Sequence, residues 1–205
     1  MKRFFASFCA LFLLLFLLPS LALTSGQAPL LQGQDAGEET YYLVEDAETG
    51  EVMKLSPLTY IKGVVAAEMP LSYHTEALKA QAVAAHSYAL YRISQKLSGG
   101  DGQGEAYLST DPAECQGYLD EEGRREQWGS QFDAYEAKLT EAVSAVIDKV
   151  LVYDGEPVMA MFHAVSGGKT EDAANLFGSP VSYLVPADSA SDELSPSFLE
   201  EKTFT

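Results

Sequence analysis

The stretch that decides the fold is SPLTYIKGVVAAEMPLSYHTEALKAQAVAAHSYAL, residues 56–90. Ser56 followed by Pro57 is typical of a helix N-cap with proline at the first helical position. Pro70 ends this helix, because the residue before a proline disfavours helical backbone. An Ala-rich helix with small, closely packing side chains is predicted to follow after a short turn. The stretch therefore predicts two adjacent helices, with Glu68 in the last turn of the first.

Short strands and one further helix are predicted around this pair. The second helix is expected from near Thr75 to Gly99-Gly100, then a long loop with short elements, and a third helix over roughly 132–149 with one apolar face. Residues 40–55 read as a β-hairpin, and Asp154-Gly155 between two apolar runs predicts another, whose second strand is expected to be buried. The predicted class is α+β, with helices packed against short antiparallel hairpins.

The charge balance limits the partners. The chain has 205 residues, with 13 Lys and Arg against 30 Asp and Glu, which gives a net charge of −17. Nucleic acid is excluded as an expected partner, because its affinity depends on basic side chains that neutralise phosphates. An anionic ligand would need a local cluster of cations.

The N-terminus has the pattern of an export segment. Lys2 and Arg3 precede an apolar run over residues 4–18, and small residues permit cleavage after Ala22. The alternative is an uncleaved membrane anchor, for which the apolar length is just sufficient. Residues 1–23 are thus predicted to be a signal peptide or anchor, and the protein to be extracytoplasmic, membrane-anchored or secreted.

The rest of the chain divides into a linker and a domain. Residues 24–40 are rich in Gly, Gln and acidic side chains, and are predicted to be a tether; residues 41–205 form the domain. Cys9 lies in the export segment, so Cys115 has no partner for an internal disulfide after cleavage. The fold must be stabilised by its core.

Glu68 is the first candidate catalytic residue. The negative end of the helix dipole and its apolar neighbours, which suggest partial burial, both disfavour an ionised carboxylate. A carboxyl group that keeps its proton near neutral pH suits general acid catalysis. The alternative is a Glu side chain that points into water at a helix end.

Two cations follow on the second helix. Lys79 and His86 are seven residues apart and project from one face, which the turn at Pro70 would bring near Glu68. The alternative pairs Lys79 with Glu76 on the surface and makes His86 a packed or solvated helix residue.

A glycine pair forms the third candidate. Paired glycines permit positive φ and close approach of a ligand to the backbone, and polar groups follow them. The candidate binding residues are Ser166, Gly167, Gly168, Lys169 and Thr170. The alternative is a turn that leads into a helix capped by Thr170, with Glu171 and Asp172 in its first turn.

No metal site is predicted. His74, His86 and His163 are scattered, and Cys115 has no Cys or His at zinc-ligand spacing. A nucleophile pair of Cys115 and His163 is compatible with the spacing, but a lone cysteine is more often a small hydrophobic residue.

Three segments together resemble the stage II sporulation protein D family, in the order that the family has them. They are YIKGVVAAEMPLSYHTEALKAQAVAAHSYAL (60–90), DPAECQGY (111–118) and VLVYDGEPVMAMFHAVSGGKTEDAANLFG (150–178). The Glu-Met-Pro turn followed by EALKAQAVAA is highly specific. The resemblance covers the chain from about Tyr41, and because family members continue further, the domain is expected to be truncated at its C-terminus.

The resemblance implies a membrane-anchored lytic transglycosylase that acts on peptide-stripped peptidoglycan glycan strands during engulfment. It implies that Glu68 is the catalytic acid/base and that Lys79 matches a family lysine. Lys79, His86 and Lys169 become candidates to hold the carboxylate that peptide removal exposes on muramic acid. If His86 does so, glycan binding should weaken as the pH rises from roughly 5.5 to 8.

The sequence departs from the family pattern in places. His86 replaces the usual arginine, Ala164-Val165 precedes the Ser-Gly-Gly segment where small hydroxyl residues are common, and Phe177 replaces a frequent Trp. Some relatives bind zinc through a Cys/His cluster near the CQ segment. This chain lacks those histidines, so neither zinc nor any other cofactor is carried over.

Two other functions remain open at this point. Part of the same superfamily consists of amidase enhancers, which are non-catalytic and stimulate a partner peptidoglycan amidase. Membrane proteins of engulfment would be further partners under either reading. An acidic extracellular interaction domain would explain the charge, but not the Glu-Met-Pro and Ser-Gly-Gly segments.

Overall fold

The computed structural model describes residues 40–99 and 106–195. The predicted export segment and all of the linker except Thr40 lie outside the described residues. The chain divides after Ala160 into two compact units, which are described separately below. Within the described ranges, no helix is long and apolar enough to cross a membrane.

A small sheet opens the first unit. Strand β1 (Tyr42–Glu45) pairs antiparallel with β2 (Val52–Leu55) and parallel with β3 (Leu108–Ser109), in the order β2-β1-β3. Tyr42 lies opposite Leu55 in the antiparallel ladder. The predicted hairpin is confirmed, and the parallel strand β3 was not predicted.

The two predicted helices are confirmed. Helix α1 spans Pro57–Glu68, and the Ser56 hydroxyl caps it by accepting the Thr59 backbone N–H at 3.1 Å. Met69 is extended, with φ −139° and ψ 132°, as expected before a proline. Helix α2 spans Thr75–Gly99.

Two helices occupy the second half of this unit. Helix α3 spans Glu121–Trp128, is capped by the Asp120 carboxylate, and leads through a 3-10 turn into α4 (Phe132–Ser144). The predicted long loop with short elements did not identify α3 as a helix, because within it only Arg124 and Trp128 are buried and the apolar period is too weak to show. The third helix was predicted to reach 149 but ends at Ser144, although Val146 beyond it remains buried.

The core lies where α1, α2 and α4 meet one face of the sheet. Its largest fully buried side chains are Tyr60, Ile61, Leu78, Leu139, Val44, Val64, Val65 and Val143. Small residues of α2, such as Ala82, Ala85 and Ala89, permit the close helix contacts that its composition predicted.

The predicted second hairpin is confirmed and is short. Strand β4 (Val152–Tyr153) pairs with β5 (Glu156–Pro157), and both turn residues between them have positive φ. The apolar run after Pro157 was predicted to form a buried strand. Val158 and Ala160 are buried, and the Val158 N–H donates to the Leu151 carbonyl at 3.1 Å, but the regular strand ends at Pro157.

The second unit has little regular structure. It contains helix α5 (Ala173–Phe177), a 3-10 turn over Ala190–Leu194, and an isolated antiparallel bridge between Lys169 and Asp188. Helix α5 is capped by the Asp172 side chain, so the suggested cap at Thr170 is wrong. Together the two units agree with the predicted α+β class.

Candidate functional site

Glu68 is the last residue of α1 and its side chain is exposed. Glu68 lies on the same face of α1 as the buried residues Ile61 and Val64, but this end of the helix extends beyond the core. The predicted position at the end of the helix is confirmed, and the predicted partial burial is wrong. What holds the carboxylate is a contact with another part of the chain.

The backbone N–H of Gly117 donates a hydrogen bond to Oε1 of Glu68 at 2.9 Å. Among the described residues, Oε2 has no hydrogen-bond partner. The protein therefore fixes one oxygen of this carboxylate and leaves the other accessible to a ligand.

The loop that carries Gly117 is anchored on both sides. Gln116 is buried, and its Nε2 donates to the Ala85 carbonyl of α2 at 3.2 Å. The ring of Tyr118 stacks on the ring of Tyr60, with centroids 5.8 Å apart and planes at 10°. The N–H that binds Glu68 thus sits between two side chains that are fixed to the helices.

Two glycines permit this arrangement. A Cβ on Gly63 would lie 2.2 Å from the Tyr118 ring, and a Cβ on Gly117 would lie 3.1 Å from Glu68 Oε1. The first contact is impossible without moving an aromatic ring. The second requires the carboxylate to give way by a few tenths of an ångström.

Helix α4 fixes the turn that follows Glu68. Lys138 Nζ donates to the carbonyl of Leu71 at 2.8 Å and to the carbonyl of Tyr73 at 2.5 Å. An ammonium group between two carbonyls of one turn restricts the path of that turn. Lys138 is a positioning residue that sequence reasoning missed.

An ion-pair group ties α1 to α3 and α4. Glu136 accepts two hydrogen bonds from Arg124, at 3.0 and 3.2 Å, and lies 2.5 Å from Lys62 Nζ. Burial by itself would raise the pKa of Glu136, but hydrogen bonds from Lys62 and Arg124 outweigh it and hold the pKa below its ordinary value. The Arg124 side chain is only 4% exposed, so it depends on this partner.

Lys79 is engaged on its own helix. Its Nζ donates to Glu76 Oε1 at 2.7 Å, and this hydrogen bond lowers the pKa of Glu76. The structure favours the surface pair that was the alternative interpretation of Lys79.

His86 is buried in the core of the first unit. Its Nε2 shares a hydrogen bond of 2.8 Å with the Tyr42 hydroxyl, and burial lowers its pKa. The structure favours the alternative interpretation of His86 as a packed residue. Because a neutral, buried ring has no charge to offer a carboxylate, the proposed weakening of glycan binding with rising pH loses its physical basis.

In the second unit, the Ser-Gly-Gly segment is organised around Asp192. The backbone N–H and hydroxyl of Ser166 donate to Asp192 Oδ2 at 2.8 and 2.6 Å, and Ser189 adds a third hydrogen bond. These bonds, led by the Ser166 hydroxyl, lower the pKa of Asp192. Gly168 has φ 91°, so the positive φ that the glycine pair predicted is present.

A cavity of about 480 Å³ adjoins this segment within the second unit. Four of the five predicted binding residues line it, namely Ser166, Gly167, Lys169 and Thr170, together with Phe162, His163 and Phe177. Thr170 also donates its N–H to the Ala187 carbonyl at 2.9 Å. The segment is therefore a ligand-sized concavity with hydroxyl, amide and ammonium groups at its wall.

Cys115 is a half-buried free thiol of the first unit, and His163 is an exposed residue of the second. Across the part of the chain that the structure describes, no three His, Cys, Asp or Glu side chains are grouped to hold a metal ion.

A sequence profile of the family SpoIID, described as Stage II sporulation protein, matches residues 45–153. The chain belongs to the SpoIID family. It is 31% identical to "Stage II sporulation protein D" of Bacillus subtilis (strain 168) over all of this chain and 65% of that protein. It is 34% identical to the protein of the same name from Bacillus amyloliquefaciens, over 71% of this chain and 42% of that one. "Amidase enhancer" of Bacillus subtilis is 30% identical over 64% of this chain and 15% of its own length.

The SpoIID match contains the whole arrangement around Glu68, including Gly117 and Lys138, while the Ser-Gly-Gly segment follows its end. The chain spans 65% and 42% of the lengths of the two relatives that share the SpoIID name. Sequence reasoning missed Gly117, Gln116 and Asp192. The signal for the first two was the DPAECQGY segment (111–118), whose resemblance was noted without a structural role.

Proposed function

We propose that this chain is a lytic transglycosylase that cleaves peptide-stripped peptidoglycan glycan strands, with Glu68 as the acid/base. The observation that supports this most directly is the carboxylate of Glu68, which is anchored through Oε1 by Gly117 and leaves Oε2 without a protein partner among the described residues. An exposed carboxyl group with one fixed oxygen can meet a polymer that is too large to enter a closed cavity.

The proposed reaction needs one carboxyl group. Glu68, protonated at Oε2, gives its proton to the glycosidic oxygen as the bond from that oxygen to the anomeric carbon breaks. The resulting carboxylate then accepts the proton of a hydroxyl on the same muramic acid, and this hydroxyl oxygen bonds to the anomeric carbon. The glycan ends in an anhydro-muramic residue, no water is consumed, and Glu68 regains its proton.

The proposed reaction differs from hydrolysis in the groups it needs. Hydrolysis of a glycosidic bond usually requires a second carboxylate, about 5–9.5 Å from the acid, to act as a base or nucleophile. The lytic reaction uses the carboxyl group of Glu68 for both proton transfers. We place the reaction outside the cytoplasm, at a membrane or in the secreted state, during engulfment, with a cell-wall amidase upstream to remove the stem peptides.

A second function has its own support. The 30% identity to a protein named "Amidase enhancer" extends over 64% of this chain. The alternative proposal is that the chain binds a peptidoglycan amidase and stimulates it without cleaving glycan. This role would use the surface of the domain and would not require the carboxylate of Glu68.

The test compares the full-length chain with Glu68→Gln and with Glu126→Gln, an exposed glutamate of α3 that serves as the matched control. Each protein is incubated with peptide-free glycan strands, and anhydro-muramic ends are counted by mass spectrometry. We expect products from the wild type and Glu126→Gln, and none from Glu68→Gln. If folded wild-type protein yields no anhydro ends but accelerates release of stem peptides by an added amidase, the alternative function replaces the first.

A further inference from the structure

One face of α2 borders a cleft of about 390 Å³ in the first unit, outside the contacts of Glu68. Tyr88, Tyr91, Arg92, Gln95 and Lys96 follow helical spacing and all line it. Tyr107 and the carboxylates of Glu45 and Glu114 are also at its wall. The cleft thus combines aromatic rings, a guanidinium group and hydrogen-bond acceptors.

Arg92 differs from the other two arginines of the described ranges. Arg124 and Arg125 each pair with a carboxylate. Arg92 has no carboxylate within 4 Å among residues 40–99 and 106–195. A chain of net charge −17 would readily supply such a partner, so a half-buried arginine that lacks one is available to a ligand anion.

Two tyrosines lie beside Arg92 in the cleft. Burial raises the pKa of Tyr88, and the nearby positive charge of Arg92 partly opposes that rise. The rings of Tyr88 and Tyr91 lie with centroids 6.5 Å apart at 39°. A guanidinium has five N–H donors, so a two-pronged contact with a carboxylate is possible.

We propose that this cleft is a subsite for a carboxylate-bearing sugar, with Arg92 as the residue that reads the carboxylate. Tyrosine rings offer flat apolar faces to a sugar ring and hydroxyl groups to its edge. Glu45 and Glu114 can accept hydrogen bonds from sugar hydroxyls. The choice of muramic acid as that sugar rests on the proposed function; the preference for a carboxylate rests on the cleft alone.

The loop after β3 connects the cleft to the candidate catalytic group. Glu114 and Cys115 line the cleft, and two residues later Gly117 donates its N–H to Glu68. The same loop therefore contributes to the wall of the cleft and to the orientation of the carboxylate.

This subsite selects strands whose peptides have been removed. When a stem peptide is attached, the muramic carboxyl group is part of an amide and cannot form a charge-assisted pair with arginine. Hydrogen bonds to charged groups discriminate by about ten- to a hundred-fold in affinity. Arg92 supplies the role that the sequence had suggested for Lys79 and His86.

The test measures binding instead of cleavage. Peptide-free glycan strands, and the same strands with carboxyl groups converted to primary amides, are titrated into the full-length chain carrying Glu68→Gln, which prevents turnover. Arg92→Gln and Arg92→Lys are compared in this background. Arg125→Gln, which removes an exposed arginine already paired with Glu121, is the matched control.

We expect the parent and the Arg125→Gln control to bind carboxylated strands at least about tenfold more tightly than amidated ones. Arg92→Gln should abolish this preference by weakening the binding of carboxylated strands alone. Arg92→Lys should retain part of the preference, since lysine keeps the positive charge but cannot form two parallel hydrogen bonds to a carboxylate. An unchanged preference in Arg92→Gln, or no preference in the parent, would overturn the proposal. Circular dichroism melts of each variant separate loss of folding from loss of binding.

The outcome is distinct from that of the proposed function. If the carboxylate preference depends on Arg92 but the wild type yields no anhydro ends, the subsite stands and the catalytic proposal fails. If the wild type cleaves strands and Arg92→Gln binds both kinds as the parent does, catalysis stands and the subsite fails.

Discussion

Glu68 and Gly117 are joined by a 2.9 Å hydrogen bond from backbone to carboxylate, across 49 positions of sequence. This bond brings together two of the three segments that resemble the family. It gives the exposed carboxylate a defined orientation without burying it. Because the donor is a backbone N–H, its position depends on the loop, and the residues that fix the loop become testable.

Gly117→Ala should impair the candidate catalytic group more than the fold. The added Cβ would lie 3.1 Å from Glu68 Oε1 and 3.4 Å from the Ala67 Cβ, so the carboxylate must shift. A misplaced catalytic group can cost up to about a hundredfold in rate, and we expect a loss of at least about tenfold in strand cleavage. Glu126→Gln, the exposed substitution on α3, is the control. Equal activity of the two variants would contradict a role for the Gly117 contact.

Gly63→Ala should destabilise the first unit. The new Cβ would be 2.2 Å from the Tyr118 ring, which must leave its stack on Tyr60. Overpacking of this kind costs about 1–3 kcal/mol of unfolding free energy. Urea unfolding of Gly63→Ala, Tyr118→Ala and the double variant forms a cycle, in which the double variant should lose less than the sum of the single losses. Additive losses would show that the ring and the glycine do not interact.

Glu136→Gln should remove the common partner of Lys62 and Arg124. The buried guanidinium of Arg124 then lacks a counter-charge, and we expect a loss of about 2–4 kcal/mol in unfolding free energy. Glu121→Gln, which breaks the exposed pair with Arg125, should cost at most about 1 kcal/mol. A similar cost for both variants would mean that burial adds nothing to the Glu136 group.

The same group predicts a pH dependence in the acid range. The pKa of Glu136 is below its ordinary value, so the folded state binds fewer protons than the unfolded state as the pH falls. Its stabilisation is complete above the unfolded carboxyl pKa of about 4.3 and is lost as the pH falls through the lower folded value. The wild type should lose its stability advantage over Glu136→Gln below that pH, as measured by chemical unfolding between pH 7 and 3.

His86 predicts a second pH dependence, at higher pH. Burial lowers its pKa in the folded state, so stability is complete above the unfolded value of about 6.5 and declines below it, as the unfolded state takes up a proton first. His86→Gln should show a smaller decline in unfolding free energy between pH 7.5 and 5.5 than the wild type does. An equal decline in the two proteins would mean that a group other than His86 causes the pH dependence.

Local signals explain why residues 56–90 were predicted closely. A cap at Ser56, proline at both ends of α1 and an Ala-rich α2 are properties of neighbouring residues, and the structure retains each of them. Helix α3 was missed because it turns most of its surface to solvent, which removes the apolar period that marks a helix. The extent of the third helix was overestimated because Val146 is buried by tertiary packing after the helix has ended.

The sequence predicted where Glu68 lies on its helix, but not the environment of this residue. The position of Glu68 could be predicted from the end of its helix. Its exposure depends on whether distant segments pack over it, and the apolar residues beside it in the sequence do not show this. The contacts of Lys79 with Glu76 and of His86 with Tyr42 favour the alternative interpretations of both residues, and the second contact lies across 44 positions. Arg92 carried no signal in the sequence, because the lack of a carboxylate beside it, within the described part of the chain, is a property of the fold.

The two carbonyl contacts of Lys138 affect how the chain acquires its structure. The lysine lies 67 and 65 residues after its acceptors, Leu71 and Tyr73. During synthesis, the turn that carries Glu68 is made early but gains this restraint only once α4 has been made. Contacts of such long sequence separation slow folding, since a large loop must close before they form. In a refolding experiment followed by hydrogen exchange, the Leu71–Tyr73 turn should therefore become ordered after the α1–α2 pair, and this late step should be absent from Lys138→Met.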